Sequence, residues 1–185
     1  MAEAALDGAI VTIRPAAADD LPALCEIYSG HVLHGAASFE EVPPDLAEFT
    51  RRWHHVADLG LPYLVACDRT AVLGYAYAGP YRPRSAYRFT VEDSIYLDPQ
   101  ATGRGIGRRL LSAVIEGATA AGKRQMLAVI GDSANRASVA LHLSLGFTEV
   151  GTFRAVGFKF GRWVDSVLMQ RALGAGDSSL PDDDS

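Results

Sequence analysis

Three glycines alternate with arginine and isoleucine in Gly103-Arg104-Gly105-Ile106-Gly107-Arg108. Ahead of this run, Ile95 and Leu97 alternate with polar neighbours as along a strand, and Asp98-Pro99 stops the ladder. Behind it, Leu110, Leu111, Val114 and Ile115 recur at helical spacing. Glycines let a ligand approach the backbone closely. The free N–H groups of a first helical turn, together with the helix dipole, favour an anion there. Arg104, Arg108 and Arg109 add positive charge. The chemistry is that of a phosphate or pyrophosphate cradle, although the same run would also serve as an ordinary turn before a core helix. Two common phosphate loops are excluded. The dinucleotide fingerprint needs a third glycine where Arg108 stands, and no Gly-Lys-Ser/Thr follows as a P-loop requires.

The elements that must hold this run read as a mixed α/β domain, a twisted central sheet flanked by helices. Residues 10–14 predict a short strand ended by Pro15. Asp19 or Asp20 is placed to cap a helix with Leu21, Leu24, Ile27 and Tyr28 on one face and Pro22 in its first turn. Residues 31–43 lack periodicity and predict a loop. A second helix starts near Pro44, carries Leu46, Phe49, Trp53 and Val56 on one face, and ends at Gly60 and Pro62. Residues 63–67 and 72–78 predict a hairpin, 79–84 a loop rich in breakers, and 88–97 the strand into the cradle. The helix behind the cradle ends at Gly122, and the apolar run 125–130 predicts an interior strand. Ser133 or Asn135 starts a last helix that stops at Gly146. Two strands, 147–160 and 164–173, turn at Gly161. Residues 9–173 form one domain on this reading. Residues 174–185, rich in Gly, Ser and Asp, predict a disordered acidic tail.

Composition narrows the function classes. The formal net charge is −5, but Asp177, Asp182, Asp183 and Asp184 crowd the tail and leave the body near neutral, so nothing argues for nucleic-acid binding. Cys25 and Cys67 are too few for a disulfide framework or a cysteine metal site, and read as buried thiols in a reducing cytoplasm. His31, His34, His54 and His55 show no metal-ligand spacing, and no metal is expected. The acidic start is unlike a secretion signal, and no apolar run is long enough for a membrane.

The spacing Gln100-x-x-Gly103-x-Gly105 resembles the acyl-CoA motif of the GCN5-related N-acetyltransferase (GNAT) superfamily. Further segments resemble its phosphinothricin N-acetyltransferase family: Tyr87-Arg88-Phe89-Thr90-Val91-Glu92, Asn135-Arg136-Ala137-Ser138 with His142 and Gly146-Phe147, and Lys159 through Trp163 to Asp165. The resemblance runs over residues 13–173. It implies a GNAT fold, acetyl-CoA as co-substrate, and direct transfer of acetyl to a small amine such as phosphinothricin, methionine sulfoximine or methionine sulfone. It also implies a homodimer.

Residue roles follow from the resemblance. Glu92 matches the family's Thr-Val-Glu and is the candidate base, directly or through a water, because an amine must lose a proton before it attacks, or else an edge-strand carboxylate paired with Arg88 or another arginine. Asp93 points to the opposite strand face. His142 is the candidate donor to the departing CoA thiolate, or else a packed helix residue. Ile95, Tyr96 and Leu97 would offer backbone contacts to the acyl and pantetheine groups. Gly103, Arg104, Gly105, Ile106, Gly107 and Arg108 would hold the pyrophosphate, and Asn135 the pantetheine or the helix cap. Arg82, Pro83, Arg84 and Tyr87 would meet the acceptor, since an arginine fork suits its carboxylate. Lys159, Arg162 and Trp163 are expected to line the same pocket, from this chain or from a neighbouring subunit of the implied dimer. The competing expectations are a same-fold enzyme for another small amine or a protein N-terminus, and an acyl-CoA sensor without turnover.

Overall fold

The computed structural model describes residues 11–69 and 71–181. Among the described residues seven strands form one sheet: β1 (Thr12–Pro15), β2 (Tyr63–Cys67), β3 (Val72–Pro80), β4 (Thr90–Leu97), β5 (Gln125–Gly131), β6 (Thr148–Lys159) and β7 (Arg162–Ala172). Four α-helices accompany them: α1 (Leu21–His34), α2 (Leu46–Asp58), α3 (Ile106–Ala120) and α4 (Arg136–Ser144). The strand order is β1-β2-β3-β4-β5-β7-β6, with antiparallel neighbours everywhere except the parallel β4–β5 pair.

Alternation along β4 divides the two faces of the sheet. Tyr96 and its neighbour Tyr75 on β3 meet Tyr28 of α1 and Phe49 of α2, with ring centroids 5.0 and 6.0 Å apart. Ile95 and Leu97 point the other way, against Gly107 of α3. Helix α3 buries Leu110, Leu111 and Val114 completely, each worth about 1.5–3 kcal/mol of apolar burial. Among the described residues no helix is long and apolar enough to cross a membrane, and no three His, Cys, Asp or Glu side chains gather as a metal site.

Several expectations need correction. Residues 31–34 continue α1 rather than opening a loop, because Val32 extends the buried stripe of Leu24 and Tyr28 at four-residue steps. Asp20 stands at the start of α1 but does not cap it through its side chain; the carboxylate takes two hydrogen bonds from Arg14, both at 2.7 Å. β3 runs on to Pro80, into the expected loop. The residues after Gly174 take turns rather than trailing free: Arg124 donates to the carbonyls of Gly176 at 3.0 Å and Ser179 at 2.6 Å. Residues 182–185 and Ile10 lie outside the described residues.

Candidate active site

The parallel ladder between β4 and β5 covers only three residues on each strand, Thr90 to Glu92 against Gln125 to Leu127. Beyond Glu92 the strands part. A cleft of about 770 Å³ opens between them, walled by Asp93, Ser94, Ile95, Tyr96 and Leu97 on one side and Ala128 to Gly131 on the other. Among the described residues no strand pairs with the β4 edge facing the cleft there, so its polar backbone, apart from the Leu97 carbonyl that His31 bonds, is available to an extended ligand.

At the far end of the cleft lies the glycine run. A single turn, Pro99–Ala101, is closed by the Asp98 carboxylate, which accepts from the Gln100 N–H at 2.7 Å. Gly103 and Gly105 both hold φ of +74°, and α3 begins directly after Gly105. A Cβ built on either glycine meets nothing within 4 Å, so the space above the backbone is open. The first-turn amides of α3 therefore border the cleft. Gly103, Gly105, Gly107 and Arg108 line it. Arg108 also reaches α4, donating to the Ser144 hydroxyl at 2.8 Å. Arg104 is exposed and does not line the cleft. Ile106 packs into the core at 1% exposure, leaving only its backbone for a ligand. Arg109 turns away to the Val11 carbonyl. This open glycine turn and the free β4 edge fit a pantetheine–pyrophosphate chain.

Asn135 lines the same cleft and caps α4, its Oδ1 accepting from the Ser138 N–H at 3.2 Å. It, not Ser133, starts the helix. His142 also lines the cleft, 2% exposed. Its Nδ1 donates to the Ser138 carbonyl at 2.7 Å, and its Nε2 lies 3.0 Å from Asp93 Oδ2.

Glu92 sits where the strands part, half-buried and lining the cleft. Burial, and then the negative charge of Asp93, push its carboxyl up to about 7. On its face of the sheet Gly79 stands opposite Glu92 and Tyr77 opposite Ser94. A second cleft of about 940 Å³ opens on this face. Tyr28, Tyr63, Tyr75 and Tyr77 are among its lining residues, with Arg52, Arg82, Pro83, Arg84 and Arg88. The Arg82 guanidinium stands over the rings of Tyr81 and Tyr87, 5.0 and 5.9 Å from their centroids. Tyr87 lines neither cleft; it packs edge-on against Tyr81 and so shapes the Arg82 site from behind.

The segment 35–42 runs between the clefts. Ser38 and Phe39 line the first, and Glu40 the second. Phe39 lies over Gly157 so closely that a Cβ there would sit 2.6 Å from the ring. A Cβ on Gly131 would sit 2.1 Å from the Ala36 carbonyl. Lys159 fixes this segment and lines neither cleft, contrary to the sequence expectation. It is 2% exposed and donates to the carbonyls of Gly35 at 2.8 Å and Ser38 at 2.7 Å. Arg162 pairs with Asp132 and Trp163 is exposed against Phe158, so neither reaches a cleft of its own chain. Lys159→Met keeps the length but strands two carbonyls. It is expected to cost about 2 kcal/mol and lower Tm by roughly 4–8 °C, and to raise KM for the acceptor. A Tm unchanged in a melting curve would contradict the tether.

Residues that sequence reasoning missed are His31, Ser38 and Phe39 on the cleft wall, and Asp93 as the partner of His142. The repeating buried stripe of α1 was the signal for His31, whose Nε2 donates to the Leu97 carbonyl at 2.8 Å. Residues 31–42 are expected to help shape the acceptor pocket, but no signal within the stretch singled out Phe39, which lines the first cleft.

Residues 13–168 match the family described as the acetyltransferase (GNAT) domain. The phosphinothricin N-acetyltransferase of Alcaligenes faecalis is 56% identical over 171 residues, which cover 92% of this chain and 87% of that protein. The L-methionine sulfoximine/L-methionine sulfone acetyltransferase of Salmonella typhimurium is 43% identical over 88% of this chain and 95% of its own. The crystal structure of a phosphinothricin acetyltransferase from Sinorhizobium meliloti in complex with acetyl-CoA superposes with a TM-score of 0.91, at 51% identity, over 94% of each chain. A parted parallel strand pair, a glycine turn opening onto a helix and likeness over nearly the whole length agree, and the chain belongs to the GNAT acetyltransferase family.

Proposed function

We propose that this chain transfers acetyl from acetyl-CoA to the amino group of a small amino-acid analogue, of the phosphinothricin, methionine sulfoximine or methionine sulfone type. The names of the curated relatives support the acceptor class. The observation that carries the reading is Glu92, held near neutrality where the acyl-CoA cleft meets the arginine-bearing face of the sheet. An acceptor amine arrives mostly protonated at pH 7. Glu92 takes that proton, the free amine attacks the thioester carbonyl in a ternary complex, and CoA departs. The balance is one ammonium and one thioester in, one amide, one thiol and one proton out. The backbone of Ile95, Tyr96 and Leu97 holds the acyl and pantetheine groups, and Gly103, Gly105, Gly107 and the start of α3 hold the pyrophosphate. His142 stands beside the thioester end.

The deciding experiment follows CoA release across phosphinothricin, methionine sulfoximine, methionine sulfone, ordinary amino acids, polyamines and a short peptide. Saturable turnover confined to the amino-acid analogues is expected. Preference for the peptide or a polyamine would overturn the acceptor assignment, and tight CoA binding without turnover would favour a sensor. Arg82 supplies the anion fork, with Arg84 beside it. Arg82→Ala removes one charge-assisted hydrogen bond, so KM for the acceptor should rise about 10-fold to 100-fold while kcat changes little. An unchanged KM would remove Arg82 from the acceptor site.

We also assign a homodimer through β6, the edge strand. Phe158 on β6, Phe160 in the turn after it and Trp163 at the start of β7 are more than half exposed, an apolar patch that a second copy would cover. Light scattering should give twice the chain mass, and Trp163→Glu should halve it. A wild-type monomer would contradict the assignment. Residues 9–173 act as one domain. Free Cys25 and Cys67 suit the reducing cytoplasm, where the enzyme is placed.

A further inference from the structure

Asp93 follows Glu92 on β4, so the two carboxylates leave opposite faces of one strand. Asp93 is 7% exposed and bonds His142 through Oδ2, while its Oδ1 has no partner among the described residues. The proton inventory of His142 follows from its neighbours. A carbonyl only accepts, so Nδ1 carries a hydrogen for Ser138. Nε2 faces a carboxylate, so a further proton lies between the two residues. Phe147, edge-on at 4.9 Å, fixes the ring plane. Both nitrogens are thus engaged, and the ring has no N–H left to aim at a departing sulfur. Asp93 lines the acyl-CoA cleft with its Oδ1 unpartnered among the described residues.

We propose that Asp93 is a positioning residue for acetyl transfer: it anchors His142 as an imidazolium and sets, from across β4, the negative charge that Glu92 works against. The inference rests on the acetyl-transfer reading above. Burial alone would lower His142, and the bond and charge of Asp93 raise it instead. The same charge is the second cause, after burial, of the high position of Glu92. The other titratable groups nearby do neither. Tyr77 on β3 and Tyr96 on β4 are pushed up by burial and stay neutral. His31 of α1 bonds the Leu97 carbonyl, and Arg108 of α3 bonds Ser144. Arg52 of α2 pairs with Glu40 beyond Tyr77. Arg171 of β7 lies beside Gly146.

The test is Asp93→Asn, near-isosteric and uncharged, read in two ways. Nitrogen NMR of the labelled imidazole in the free protein should show His142 protonated on both nitrogens at pH 7 in the wild type. In the variant its midpoint should fall by about one unit or more. In parallel, the acid limb of kcat/KM should move below its wild-type position near 7 by the share that Asp93 adds to burial. A merely structural residue would lower activity or Tm without moving either midpoint. A folded variant with both midpoints unchanged overturns the proposal. If the variant does not fold, the wild-type spectrum still decides, since Nε2 unprotonated at pH 7 also overturns it. The titration needs no substrate. Failure of the pair therefore shows in the spectrum, and failure of the acetyl-transfer reading shows only in turnover.

Discussion

Glu92→Gln lowers kcat/KM at pH 7 by a factor of about 10²–10⁴, the usual contribution of a placed general base. The shape of the loss matters more than its size. In the wild type the base is active when deprotonated. With its carboxyl pushed up to about 7, activity rises through an acid limb centred there. The variant has no such group. It can use only amine that solvent has already deprotonated, and that fraction grows tenfold per pH unit below the amine's own pKa, which lies well above 7 for an aliphatic amine. The deficit is therefore largest near neutral pH and shrinks as pH rises. Stability should move the opposite way. A carboxyl whose folded pKa is raised costs stability once pH exceeds its unfolded value near 4.3, and the full cost is reached above about 7. Removing the charge relieves that cost, so the variant melts no lower than wild type at pH 8. This is the trade expected of a site built for reaction rather than for stability. A pH–rate profile that keeps its wild-type shape would remove Glu92 as the base.

What was legible in the sequence was local. The glycine turn and the helix behind it are fixed by residues within a dozen positions of one another, so spacing and periodicity revealed them. The stripe of α1 is equally local, but Gly35 and two prolines further on mask its last turn by reading as a loop from His31. Long-range arrangements were another matter. Alternation gives the opposed faces of Glu92 and Asp93, but not the partner of Asp93, which lies 49 residues on. The parting of β4 from β5 after three paired residues has no composition of its own; both strands read as continuous. Lys159 looked like a pocket residue by type. Its amine instead closes two carbonyls more than 120 positions away in the chain. Pair contacts of this kind depend on the register of strands that are far apart in sequence, which periodicity cannot supply.

Gly105→Val should weaken CoA binding by about 100-fold or more while leaving the rest of the fold in place. Two effects combine at this position. Gly105 holds φ of +74°, and a β-branched residue there is strained by about 1–3 kcal/mol. Relaxing that strain moves the first turn of α3, whose amides are the anion-binding element. Steric exclusion is the second effect. The Cβ position of Gly105 is open, with no described residue other than its chain neighbours within 4 Å, and it faces the cleft rather than the core. Protein packing therefore does not object to the valine; the bound pyrophosphate does. Together these reach the roughly 2.7 kcal/mol that a 100-fold change requires. The core side of the helix, Ile106, Leu110 and Leu111, is untouched, so the melting temperature should fall only by the strain. Calorimetric titration with CoA separates the cases. Weak binding in a folded variant supports the placement of the pyrophosphate at this turn, and wild-type affinity would show that the phosphates bind elsewhere.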